Sequence, residues 1–122
     1  GNVAIIAVGS MVEETYKAID MLEKENVHPA FVNPVFIKPM DTELIKRVAE
    51  NHKHIIVVEE GIKKGGFGES VETFILESGI DADVQVMAID DRFVEQGNVA
   101  LLREEIGISY KNIYEKVMEL TR

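Results

Sequence analysis

The chain has 122 residues, 46% hydrophobic and 29% charged, which suffices for one domain with a real core and falls short of two. A net charge of −9, with no basic cluster beyond the pair Lys63-Lys64, argues against a nucleic-acid partner. There is no apolar run near the ~18 residues of a membrane span, no secretory leader before the first strand-like run and no cysteine, a pattern expected of a cytoplasmic protein that does not enter membranes.

In chain order, residues 3–8 form a continuous apolar run, the mark of a strand covered on both faces. It stops at Gly9-Ser10, and Ser10-x-x-Glu13 is a capping-box pattern that opens a helix to about residue 25. Val12, Thr15/Tyr16, Ile19 and Leu22 are its expected inward positions, with Glu14, Lys17, Glu23 and Lys24 facing water. Residues 30–32 make a short strand between Pro29 and Pro34, which suggests a sheet edge where a missing N–H is tolerated. Asp41 reads as the N-cap of a helix over 42–51 that buries Leu44, Ile45, Val48 and Ala49.

A second apolar strand at 55–59 ends in Glu59-Glu60 and leads through a glycine-rich turn into a helix over about 66–77. Val71, Phe74 and Ile75 should point inward and Gly79 should end it. Residues 84–89 form a fourth strand, more exposed because it carries Gln85. A short helix near 99–105 and a last one from Ser109, with Ile113, Val117 and Leu120 on one face, complete the chain. Strict alternation of strand and helix implies an α/β fold with three α/β/α layers and a mainly parallel sheet. The two unbroken apolar strands belong in the middle, so right-handed crossovers give the order 2-1-3-4. The sheet reverses direction between strands one and three, where ligands of such sheets collect at the carboxyl ends.

That crevice holds most of the candidate chemistry. Gly65-Gly66-Phe67-Gly68 at a helix start offers backbone N–H groups to an anion. Phe67 stands where a P-loop needs lysine, however, and Val71 where a dinucleotide fingerprint needs glycine. Tight turning and close helix–sheet packing explain the same glycines. Glu59 and Glu60 are adjacent on a strand, so they point to opposite faces and make a poor acid–base pair; one can cap the glycine turn. Ser10 lacks the Gly-x-Ser-x-Gly setting of a nucleophile and serves as a cap. His28, His52 and His54 show no metal-ligand spacing, and His52 falls at a helix C-terminus that favours partial positive charge. Arg92 in Asp90-Asp91-Arg92-Phe93 is a local ion-pair or interface candidate. Ser10, Glu59, Glu60, Gly65, Gly66, Gly68 and Arg92 are thus the crevice, anion or interface candidates, with no catalytic, cofactor-binding or metal residue among them.

Several segments taken together resemble one family. The run Val3 to Val12 is similar to the strand–Gly–helix opening of the transketolase C-terminal domain. Asn33 to Asp41 resembles that family's segment ending in Arg-Phe-Ile-Lys-Pro-Leu-Asp, with Val35 at the usual arginine. Val57-Val58-Glu59-Glu60-Gly61 and Gly65-Gly66-Phe67-Gly68 match its signature, which ketoacid dehydrogenase beta subunits share. Asp91 to Gly97 and Leu101 to Gly107 resemble the ending of the 1-deoxy-D-xylulose-5-phosphate synthase family, with Gln96 at the usual histidine and Asp90 at the usual proline.

The resemblance implies a single C-terminal domain, residues 1–122, of a longer multidomain enzyme that joins pyruvate, after loss of CO2, to glyceraldehyde 3-phosphate. Thiamine diphosphate and magnesium would be bound by preceding domains whose motifs are absent from these residues. The domain itself would pack on those domains and support a homodimer, and alone it would be inactive. Family sheets usually begin with an antiparallel edge strand upstream of Val3, so its absence implies a chain starting at a domain boundary. The face meeting the missing domains should then present apolar residues, with Phe67 or Phe93 as candidates, that favour self-association. The alternatives left open are another transketolase-like enzyme, a ketoacid dehydrogenase beta subunit, and a free-standing flavodoxin-like module that binds a small anion.

Overall fold

A computed structural model describes residues 2–9, 11–33, 42–60, 67–89 and 109–121. Four strands, β1 (Val3–Ala7), β2 (Ala30–Val32), β3 (His54–Glu60) and β4 (Asp83–Ile89), pair in parallel in the order β2-β1-β3-β4. Helices α1 (Met11–Lys24), α2 (Thr42–Asn51), α3 (Phe67–Glu77) and α4 (Tyr110–Thr121) complete the described elements. The expected α/β/α class and the strand order therefore hold. The expected helix near 99–105 and the Asp41 cap lie outside the described residues.

Strand alternation divides the core into two layers. Val3, Ile5, Ala7, Ile56 and Val58 pack with Met11, Ala18 and Leu22 of α1 and with Ile113 and Val117 of α4. Ala4, Ile6, Val8, Ile55 and Val57 pack with Ile45, Val48 and Ala49 of α2 and with Phe67, Val71 and Ile75 of α3. Residues of both parities are buried because both faces are covered, which is why β1 and β3 read as unbroken apolar runs. β2 lies at one edge and is only half buried, as its flanking proline suggested.

The helix ends follow local rules. Asn26 adopts φ +61°, its N–H donates to the Glu23 carbonyl at 3.0 Å, and the Val27 N–H donates to the Leu22 carbonyl at 2.9 Å. This is a Schellman ending with asparagine at the left-handed position, and Val27 packs into the same core as Leu22. Gly79, at φ +72°, ends α3 as expected.

Two expectations fail. Glu14 does not face water: it is 7% exposed, whereas Tyr16, an expected inward position, is 55% exposed. The buried stripe of α1 runs through Met11, Thr15, Ala18 and Leu22, because α4 lies along that side of the helix. Tyr16 instead leans over the sheet edge, edge-to-face with Phe31 at 5.0 Å between ring centres. Phe67 is not an exposed interface residue either; it is 7% exposed and lies in the α2–α3 layer. Phe93 is outside the described residues.

Candidate functional site

The candidate crevice is built from the carboxyl ends of β1 and β3 and from the helices that follow. Past β1, the Val8 N–H still donates to the Val58 carbonyl at 3.2 Å, which keeps the two strand ends together. Gly9 then turns at φ +63° with open space around a would-be Cβ, so backbone conformation and not crowding calls for glycine. The first amides of α1 turn back on this connection: Met11 N–H donates to the Val8 carbonyl and Val12 N–H to the Gly9 carbonyl, each at 3.3 Å.

On the β3 side, Glu59 is 5% exposed, and its Oε1 accepts the Gly68 N–H at 2.9 Å. The carboxylate thus sits at the amino end of α3, where free N–H groups and the helix dipole favour negative charge. A Cβ on Gly68 would lie 2.5 Å from Val86 Cγ1 and 2.8 Å from Glu59 Oε1. Glycine is required here because the α3 backbone approaches both β3 and β4 too closely for a side chain. Of the predicted candidates, the structure brings together Glu59 and Gly68, in a contact internal to the protein. Ser10, Gly65, Gly66 and Arg92 lie outside the described residues; Glu60 closes β3, and its side chain is likewise outside them.

A second buried carboxylate went unread in the sequence. Glu14 Oε2 accepts the Tyr110 N–H at 2.9 Å from the start of α4, 96 residues away, and Lys17 Nζ lies 3.4 Å from Oε1. Ser109 and Asn112 complete that helix start: the Ser109 hydroxyl and N–H both donate to Asn112 Oδ1, at 2.7 and 3.2 Å. The signal available was Glu14 at three and four residues from Met11 and Ala18, on the flank of the buried stripe.

The three histidines go to three different places. His52 Nδ1 lies 2.9 Å from the Val48 carbonyl at the end of α2. His28 Nε2 is 3.3 Å from Asn26 Oδ1, and His54 Nδ1 is 3.4 Å from Asp83 Oδ2 across the β3–β4 register. The Gln85 side-chain amide, donating at 3.1 Å, holds the Asp83 carboxyl below its ordinary range; His54 and Lys116 add to this, and partial burial opposes it. Among the described residues no three His, Cys, Asp or Glu side chains converge to hold a metal ion. Both buried carboxylates, Glu14 and Glu59, are engaged by backbone amides. The described residues therefore do not fit a magnesium–diphosphate group. No helix among them is long and apolar enough to cross a membrane.

A parallel four-stranded sheet in the order β2-β1-β3-β4, with Glu59 seated on Gly68 at the start of α3, defines a three-layer α/β/α domain. The family model described as "Transketolase, C-terminal domain" matches residues 1–113, and the chain belongs to that family. Among curated relatives it is 40% identical over 121 residues to the 1-deoxy-D-xylulose-5-phosphate synthase of Dehalococcoides mccartyi, covering 98% of this chain and 19% of the relative. It is 37% identical to the synthase of the same name from Heliobacterium modesticaldum, covering 98% of this chain and 18% of that one. A solved structure described as a split-gene transketolase, inactive beta4 tetramer, superposes with a TM-score of 0.82 at 27% identity, over 97% of this chain and 38% of that one. The chain spans about a fifth of the length of the curated relatives it matches.

Proposed function

We propose that this chain is the C-terminal domain of a thiamine-diphosphate-dependent synthase that condenses pyruvate with glyceraldehyde 3-phosphate to 1-deoxy-D-xylulose 5-phosphate, an isoprenoid precursor. The observation that carries the reading is 40% identity over 98% of the chain to a relative with that name. Thiamine diphosphate and magnesium are assigned to domains outside these residues. The role of the 122 residues is structural: packing on the preceding domains and supporting a homodimer in the cytoplasm. The two buried carboxylates support this reading, since each accepts a backbone N–H at the start of a helix, Glu59 from Gly68 and Glu14 from Tyr110.

The test is an assay of the gene product that contains these residues together with the upstream domains. It should form 1-deoxy-D-xylulose 5-phosphate from pyruvate and glyceraldehyde 3-phosphate when thiamine diphosphate and magnesium are supplied. A product that moved only two-carbon ketol units between sugar phosphates would place the parent among transketolases instead.

A further inference from the structure

The charge of this chain is not evenly spread. Residues 67–89, which comprise α3, its turn and β4, contain five acidic residues and no lysine, arginine or histidine. More than half of the net charge of −9 therefore sits on one helix–strand unit at the far side of the sheet from β2.

The same unit carries a surface groove of about 340 Å³ lined by Glu72, Thr73, Leu76, Ile80, Asp83 and Val84, among others. Leu76 is 79% exposed, and Ile80, Ala82 and Val84 are only half buried. Among the described residues β4 is an edge strand. Glu77 and Asp81 are exposed beside the groove. The result is an apolar floor with an acidic rim.

We infer that this α3–β4 groove is where the domain docks on the remainder of a longer polypeptide, through apolar side chains flanked by lysine or arginine. The inference rests on the reading above, in which these residues are one module of a longer enzyme. Two observations select the occupant. A second copy of this chain would set acid against acid across the groove, and like charges oppose association. The matched relatives are about five times as long as this chain, so a tethered surface is available at high effective concentration. A modest intrinsic affinity then suffices.

Because the chain has no cysteine, Leu76→Cys introduces its sole thiol, at an exposed site outside the core. Alkylation of that thiol by iodoacetamide is followed by peptide mass spectrometry in the 122-residue chain and in the longer gene product. The longer product should react about tenfold more slowly or slower still. Equal rates would overturn the proposal. So would slowing in the 122-residue chain as its own concentration rises, which would identify a second copy as the occupant. Within the longer product, Glu72→Lys with Asp81→Lys should restore fast alkylation, whereas Glu23→Lys with Glu25→Lys at the end of α1 should not. If both pairs act alike, recognition by charge is wrong. The synthase assay on the same preparation reports separately on the parent reaction.

Discussion

At the residue scale, Gly68 is the position where sequence and structure meet most tightly. Gly68→Ala forces Val86 or the α3 start to move, and the expected loss is about 1–3 kcal/mol in chemical denaturation. Val86→Ala removes the nearest obstructing methyl, so the double variant should be less destabilised than the sum of the singles; strict additivity would show that the contact is not the cause. Glu59→Ala leaves the buried Gly68 N–H without its acceptor and should cost about 1–3 kcal/mol, while Glu59→Gln, which keeps an acceptor oxygen, should cost less. Asp83 gives a pH test. Its folded carboxyl ionises below the ordinary value of 3.8, so the stabilisation it provides is present above that pH and disappears as acid protonates the folded carboxyl. Its side chain is 47% exposed, so the effect should stay below about 1 kcal/mol. Asp83→Asn should therefore lower stability slightly above about pH 4, with the difference from the parent chain shrinking as the pH falls further; a difference that persists unchanged into strong acid would contradict the assignment.

At the element scale, burial predicts a sharp contrast between helices that look alike in sequence. Ile113 of α4 is fully buried, and Ile113→Ala should cost about 2–5 kcal/mol. In the 122-residue chain, Leu76→Ala on α3 should stay within about 0.5 kcal/mol because the side chain is there in water. Thermal melts of the two variants decide whether α4 is an integral layer. The strands were legible because a strand covered on both faces leaves an unbroken apolar run, as at Ile55 to Val58. The glycine that ends α3 was legible from its local chemistry. The burial of Glu14 was not, because its partner, the Tyr110 amide, arrives from 96 residues downstream and leaves no local trace. Asn26 was missed for another reason: asparagine in the left-handed region is uncommon enough that a helix end is normally sought at glycine.

At the scale of the whole molecule, the order of elements already implied a parallel sheet, and the signature residues already placed it in a family of C-terminal domains. The structure alters the meaning of the most suggestive segment. The glycine turn after β3 could in principle serve an external anion, but the failed phosphate-loop and dinucleotide motifs already pointed to packing. At Gly68, the part of it that is described, the amide is occupied by the protein's own Glu59 and the space is filled by Val86. That favours a framework domain over a free-standing binding module, in keeping with relatives of which it spans a fifth. The most direct measurement is turnover of pyruvate and glyceraldehyde 3-phosphate by the 122-residue chain and by the longer gene product, side by side, with thiamine diphosphate and magnesium present. The account predicts 1-deoxy-D-xylulose 5-phosphate from the longer product and none from the chain alone. Turnover by the isolated chain would contradict it.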